Sequence, residues 1–315
     1  MPRAISSGKL VALVVVLALL ALAPLTGSHY VIDLATEILI YVLFALSLNV
    51  LIGWSGNVSF GHAAYFAIGG YTNAILLTTY EWPLALAMLA AVVLSMICAG
   101  IVAWFCTRLT DIYFAMLTLA FAMFIWAIAF KWRDVTGGDD GFVGVAVPAL
   151  ISTRVPFYYF TLAVVTVSSA ILWLICHSPF GKTLVAVREN MTRAGFVGVN
   201  TRLVRWTAFV IAGTFAGIAG AILAMYNRGF YTESAFWTES AQVLIMSLLG
   251  GIYSFFGPAI GAATLYLLER GSISTPSTGP SCWGSSCSRS FSSCPRASSG
   301  WPGKCGRWPP RAGAE

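Results

Sequence analysis

Residues 177–205 read HSPFGKTLVAVRENMTRAGFVGVNTRLVR and make the longest polar and basic segment in an otherwise apolar chain. Lys182, Arg188, Arg193, Arg202 and Arg205 stand there against a single acid, Glu189, and long apolar runs lie on both sides. Carrying clustered cations through hydrocarbon is costly, so short loops rich in lysine and arginine remain in the cytoplasm. The segment is placed there, and the runs around it are read as membrane spans.

Its pattern predicts a short helix lying across the end of a bundle. Ser178 before Pro179 suits an N-cap and first helical position, because the serine oxygen accepts an orphan amide and proline has none to orphan. Phe180, Leu184, Val187 and Met191 recur at spacings of four, three and four, which puts them on one face. Gly195 and Gly198 are the expected stops. Two readings stand for that face: it packs under its own bundle, or part of it docks into a cytosolic partner. Gly181-Lys182-Thr183 imitates the end of a phosphate-binding loop, but Cys176 occupies the position where that motif needs its first glycine.

Composition fixes the class. Of 315 residues, 58% are hydrophobic and 10% charged, against about 25% charged in soluble domains. A bilayer core of about 30 Å takes about 20 helical residues to cross. The alternation expected of a membrane barrel is absent. An all-α polytopic integral membrane protein is therefore expected, with about eight transmembrane helices within a range of about seven to ten, some broken at glycines. The formal charge of +6 fits loops facing cytoplasm and anionic lipid, and no nucleic-acid partner is indicated. Cys98, Cys106 and Cys176 fall in or beside apolar runs, and no metal-ligand spacing or cofactor motif is evident.

In chain order, Leu10 to Leu25 follows a basic start and reads either as a retained first helix or as a cleaved signal peptide. Further spans are expected over Tyr30 to Ile52, Ser59 to Thr79, Leu84 to Thr107, Ile112 to Phe130, Phe157 to Cys176, Val204 to Tyr226 and Ala241 to Leu268. Asp33 and Glu37 fall near an outer end, and no acid is placed clearly mid-span. Between Asn49 and Tyr71 stand Gly53, Gly56, Ser59, Phe60, Gly61, His62, Gly69 and Gly70. So many small residues in an apolar setting mean either close helix packing or a broken helix lining a path. A lone His62 is more often a hydrogen-bonded structural residue than a proton relay. Thr136 to Phe142 forms a glycine-rich external turn, a plain loop or part of an outer mouth. Gly213, Gly217 and Gly220 permit close approach of another helix. Gly250-Gly251 and Gly257-Pro258 divide the last span and allow two half-helices.

After Glu269 the composition changes abruptly. Residues 270–315 are crowded with Ser, Pro, Gly and Arg and hold Cys282, Cys287, Cys294 and Cys305. Such a tail is expected to be disordered, and its composition fits translation from a shifted frame. The remainder, residues 1–269, is read as one transmembrane domain with 177–205 as its cytoplasmic segment.

Several motifs in one order are similar to a known family. They are Gly53-x-x-Gly56-x-x-Ser59-Phe60-Gly61-His62, the run YFAMLTLAF from Tyr113 to Phe121, and Thr136-Gly-Gly-x-x-Gly141. Ser178-Pro-Phe-Gly181, Arg188-Glu189-Asn190-x-x-Arg193-Ala194-x-x-x-Gly198 and Leu249-Gly250-Gly251 followed by Gly257-Pro258 complete the set. Over about residues 10 to 268 the chain resembles the LivM-type permease of bacterial high-affinity branched-chain amino acid ABC transporters. The resemblance implies a multi-pass subunit of the bacterial inner membrane. It implies as partners a second homologous permease, two cytosolic ATP-binding subunits and a periplasmic substrate-binding protein. It further implies that Gly181, Arg188, Glu189, Asn190, Arg193, Ala194 and Gly198 belong to the region coupling to the ATPase. Where the family has another apolar span after Glu269, this chain has its polar tail.

Alternating access driven by the partner ATPases is the expected mechanism, with a path near Asn49, Gly53, Gly56, Ser59, Phe60, Gly61 and His62 and helix breaks at Gly250 and Gly251. Rival readings are an ABC permease for urea or short amides, an ion-coupled secondary transporter built on broken helices, and an intramembrane enzyme using His62, Asp139 and Asp140.

Overall fold

A computed structural model describes residues 28–148 and 151–273, together with Pro24. The run Leu10 to Leu25, apart from Pro24, and residues 274–315 lie outside the described residues, with the expectations attached to them. By packing, the described residues up to Leu268 belong to one compact unit.

Helices dominate. α1 (His29–Asn49) passes directly into a π-helical turn, Val50–Ser55, and α2 (His62–Thr78) follows after an irregular stretch. α3 (Leu84–Cys106) and α4 (Asp111–Lys131) form an antiparallel pair joined by a short turn. After α5 (Arg133–Thr136), a 3-10 turn (Gly138–Asp140) and β1 (Phe142–Val143) comes α6 (Arg154–His177). α7 (Pro179–Glu189) and α8 (Met191–Phe196) make up the basic segment, and α9 (Thr201–Tyr226) leaves it. β2 (Gly229–Phe230), a 3-10 turn (Thr232–Ala235), α10 (Trp237–Gly250) and α11 (Gly257–Ile273) complete the order.

Among the described residues five helical stretches are long and apolar enough to cross a membrane: His29–Ser55, Leu84–Cys106, Asp111–Lys131, Arg154–His177 and Thr201–Tyr226. The chain is a multi-pass membrane protein. Burial ranks these helices. In His29–Ser55 and Thr201–Tyr226, 83% and 78% of the apolar window is buried, against 28%, 22% and 28% in the other three. α1 and α9 are therefore the axis of the bundle. α3, α4 and α6 turn Leu89, Ile112, Met116, Phe124 and Leu174 outward, as helices facing lipid do.

Small residues set how closely the axis packs. A side-chain carbon on Gly69 would run into the backbone of Gly217, one on Gly220 into the carbonyl of Phe66, and one on Gly213 into Ala99. α2, α3 and α9 thus meet almost backbone to backbone, the arrangement small residues give helices in lipid. At these glycines the close-packing reading holds.

The two ends differ in charge. At one end, here the basic end, lie Arg108, Lys182, Arg188, Arg193, Arg202 and Arg205 with Asp111 and Glu189. The guanidinium carbons of Arg202 and Arg108 sit 4.7 and 5.7 Å from the ring centre of Trp104. At the far end β1 pairs antiparallel with β2, Phe142 opposite Phe230, so the glycine-rich turn and the α9–α10 connection fold together. Arg154 there bonds Asp33 at 2.6 Å, and Tyr226 Oη donates to the Asp33 carbonyl at 3.1 Å.

The last span departs from its simplest expectation. Instead of one returning helix, α10 and α11 form an antiparallel hairpin of half-helices. A carbon on Gly250 would meet the Gly257 carbonyl, one on Gly261 would meet the Met246 carbonyl, and Glu239 and Tyr266 both lie against Tyr41. At about 1.5 Å per residue α10 covers only about 20 Å, less than a bilayer core. Gly251, at φ +95°, reverses the chain where other residues are strained.

Candidate functional site

Two helix discontinuities face each other at the basic end, and the basic segment lies beneath them. The first is formed by Val50–Ser55 and the irregular residues up to Gly61. Gly56 closes the π turn at φ +73°, and the Asn57 amide donates back to the Leu51 carbonyl at 3.0 Å. Backbone groups freed at membrane depth need partners within the protein. The Phe60 amide finds Thr118 Oγ1 at 3.3 Å, Gly61 finds Ser59 Oγ at 3.3 Å and Ala63 finds Ser240 Oγ at 2.8 Å. A carbon on Gly61 would strike the Thr118 carbonyl. The break is thus built from short polar side chains on α4, α10 and its own loop.

His62 opens α2, fully buried and stacked on Phe44 with ring centres 5.4 Å apart. Ser47 Oγ donates to the Phe44 carbonyl at 2.7 Å, so it accepts from His62 Nε2 at 2.8 Å. Nδ1 is then the bare nitrogen, and it has no hydrogen-bond partner among the described residues. The neutral ring acts as a structural pin between α1 and α2. Asp139 and Asp140 are exposed in the far-end turn, so they share no element with it.

The second discontinuity, residues 251–256, belongs to the α10–α11 hairpin. Its Ser254 carbonyl accepts from Asn49 Nδ2 at 3.2 Å, and a carbon on Gly53 would collide with the Ile252 carbonyl. Close packing and a broken helix, alternatives on the sequence, are both realised around Gly53 to Gly70.

Two arginines of the basic segment grip the first break. Arg188, on α7, donates from Nη1 to the Gly53 carbonyl. Its guanidinium carbon lies 5.3 Å from the ring centre of Tyr253, and its stem fills the space a side chain on Gly56 would take. Arg205, on α9 and 4% exposed, donates from Nη2 to Asn57 Oδ1 at 2.8 Å and to the Leu109 carbonyl at 2.9 Å. A cation at the C-terminal end of α1 is well placed against the helix dipole. Arg205 sits in the first turns of α9, where the dipole is unfavourable, so its carbonyl and amide partners must offset that cost.

The segment itself differs from a single helix in three ways. α7 ends at Glu189, where Asn190 is extended (φ −159°) and caps α8 by accepting from the Arg193 amide at 2.9 Å. The face through Phe180, Leu184 and Val187 therefore stops one turn short of Met191. Ser178 does not cap α7 with its side chain. Its hydroxyl donates instead to the Ile175 carbonyl at 2.6 Å, which also accepts the Ser178 amide at 3.2 Å where α6 ends. Gly195 lies inside α8, and Gly198, at φ +90°, follows it.

Burial divides the residues picked from the sequence. Gly181, Leu184, Val187 and Ala194 are buried, Gly181 so tightly that a side chain would strike the Cys176 carbonyl. Glu189 is 71% exposed, and Asn190, Arg193 and Gly198 are exposed with it. Phe196 and Val197, 86% and 84% exposed, complete the outer tip; neither stands out in a sequence full of apolar residues. The structure gathers Asn49, Gly53, Gly56 and Arg188 in one place, with Gly250 and Gly251 on the hairpin that faces them. Ser59, Phe60, Gly61 and His62 form a separate, deeper cluster with Ser47, Thr118 and Ser240. Arg205 and Asn57 are further members that spacing did not single out.

One acid also lies deeper than expected. Glu239, in the first turn of α10, accepts from Tyr41 Oη at 3.5 Å, about three turns inside α1. The expectation that no acid lies clearly mid-span did not anticipate this depth, which arises because the α9–α10 connection dips into the bundle before α10 begins.

Residues 30–283 match the family described as branched-chain amino acid transport system, permease component. The high-affinity branched-chain amino acid transport system permease protein LivM of Escherichia coli (strain K12) is 31% identical over 293 residues, 82% of this chain and 67% of that protein. LivM of Salmonella typhimurium is 30% identical over 285 residues, 81% of this chain and 67% of that protein. Escherichia coli LivH, a permease protein of the same kind of system, is 23% identical over 252 residues, 73% of this chain and 80% of that protein. No solved structure matches the chain.

Proposed function

Because the chain belongs to the branched-chain amino acid transport system permease family, we propose that it is the membrane-spanning permease subunit of an ABC importer in a bacterial inner membrane. In this reading residues 1–269 form the permease domain and 270–315 a tail outside it. Its partners are a second, LivH-like permease, two cytosolic ATP-binding subunits and a periplasmic substrate-binding protein. The cargo is a branched-chain amino acid. ATP is hydrolysed by the partners, and this chain is a transport subunit rather than an enzyme.

One observation carries the reading. A protruding basic segment, residues 177–205, sits directly under two helix breaks and is hydrogen-bonded to one of them through Arg188 and Arg205. Its cations outnumber the acids of that end, which supports a cytoplasmic position. The exposed tip around Glu189, Arg193, Phe196 and Val197 is where an ATPase would engage. Asn49, Gly53, Gly56 and Ser59 to His62 border the path that its movement opens.

The test is uptake into proteoliposomes by the assembled complex with valine, leucine and isoleucine, and with urea and acetamide as competitors. ATP-dependent accumulation of the amino acids is expected. Preference for urea or acetamide would move the cargo to short amides. Opposed half-helices are also how ion-coupled transporters build their sites, so uptake by this chain alone on a sodium or proton gradient would favour that second reading.

A further inference from the structure

We infer that Arg188 and Arg205 together form a two-point clamp that carries displacement of the basic segment into the helix break at residues 53–57. This rests on the reading of 177–205 as the coupling segment and adds which side chains transmit its movement.

Position comes first. Arg188 lies at the end of α7 and Arg205 in the first turns of α9, so they bracket the exposed α8 in sequence. Both reach inward, to neighbouring points of one short stretch: the Gly53 carbonyl and the Asn57 side chain. Between these points lies Gly56, whose missing side chain leaves room for the Arg188 stem. A push on α8 therefore acts on the break from both sides.

The chemistry of the contacts suits transmission. A planar guanidinium holds two acceptors in fixed directions, which an ammonium cannot do. Arg205 uses that plane to join Asn57 to the Leu109 carbonyl in the α3–α4 turn, with its guanidinium carbon 5.6 Å from the Phe114 ring centre. Arg188 uses its own plane to join Gly53 to Tyr253 of the hairpin. Both discontinuities thus connect to the segment through Arg188, and the first is also fixed to the α3–α4 turn through Arg205. The π-helical turn is itself suited to repacking, because its hydrogen-bond ladder is wider and weaker than that of an α-helix. Arg188 is 25% exposed, and its acidic neighbour among the described residues, Glu189 at 3.8 Å, is too open to water to compete for it. These are positioning residues, acting on the path through the backbone they hold.

The experiment uses the full complex of both permeases, the ATPases and the binding protein. Hydrogen–deuterium exchange of the peptide covering residues 50–61 is compared with and without ATP and vanadate, beside uptake per ATP hydrolysed. In the wild type, nucleotide should change exchange in 50–61 and in 179–198 together. In Arg188→Ala and Arg205→Met, the response of 179–198 should persist while that of 50–61 is lost. Uptake per ATP should fall about thirtyfold, the factor that loss of one hydrogen bond to a charged group gives. Arg188→Lys keeps the charge and the stem but not the fork, and should recover only part of the response. It carries the test if the alanine variant fails to assemble.

A merely structural role would raise exchange in 50–61 in both nucleotide states and leave their difference intact. That result, or a wild-type 50–61 peptide that ignores nucleotide while uptake is ATP-driven, overturns the clamp and spares the functional reading. ATP-independent uptake by the wild type overturns both.

Discussion

Arg188 of the basic segment donates a hydrogen bond to the backbone carbonyl of Gly53, two positions that lie 135 residues apart in sequence. The bond spans the boundary between the protruding segment and the bundle. Arg188→Ala should therefore lower stability as well as function. A loss of about 2 kcal/mol is expected, as for removal of a hydrogen bond to a charged group, measured by thermal unfolding of the detergent-purified chain against wild type.

Glu189 points the other way, out of the fold. Reversing its charge with Glu189→Lys should abolish substrate-stimulated ATP hydrolysis in the assembled complex while expression holds. Normal stimulation in that variant would remove Glu189 from the coupling contact.

At the tip of α8, Phe196→Ala and Val197→Asp should weaken co-purification of the ATPase. Each side chain is almost wholly exposed in the chain alone. Its removal therefore costs the isolated permease little, and an unchanged melting temperature with lost ATPase binding is the expected pair of results.

Helix contact in the axis gives a graded series. Gly220→Ala and Gly69→Ala force a carbon into backbone of a facing helix, whereas a carbon on Gly195 meets nothing within 4 Å. Overpacked sites lose about 1–3 kcal/mol, and Gly195→Ala should stay within about 0.5 kcal/mol of wild type. Melting temperatures of the three variants in one detergent rank them.

Ser47→Ala takes away the acceptor of His62 Nε2 in a fully buried site. An unsatisfied buried donor costs about 1–3 kcal/mol. The same loss of stability at external pH 5.5 and 7.5 is expected of a neutral structural ring, and a loss confined to the acid condition would assign His62 a protonation role.

Much of this was legible in the sequence, because membrane spans announce themselves by length and apolarity alone. The spans at 30–52, 84–107, 112–130, 157–176 and 204–226 correspond to the five long helices within a few residues. Gly213, Gly217 and Gly220 pointed to close packing that the structure realises. What escaped was direction. Arg188 and Glu189 are adjacent letters of one motif, yet one is turned into the bundle and the other into water. Charge alone could not separate them, since the distinction depends on a carbonyl freed at Gly53. The hairpin escaped for a similar reason: Gly250-Gly251 and Gly257-Pro258 marked a break, but not that the chain reverses there. Ser178 and Pro179 take the expected N-cap and first helical positions, but the Ser178 hydroxyl turns back to the preceding helix, a contact that no N-cap preference contains. Glu239 looked external because a polar connection that descends into a bundle has the composition of one that stays outside.

The buried pair α1 and α9 sets a problem of timing. α1 leaves the ribosome well before α9, the helix that later encloses it, has been synthesised. Until then it has only lipid and earlier helices such as α6 for neighbours, and the mean hydropathy of 2.1 across His29–Ser55 suits it to wait there. Biogenesis of this protein is thus constrained less by insertion of its first helices than by the arrival of a late one, and truncations that end before Thr201 should leave the early helices threaded but unassembled.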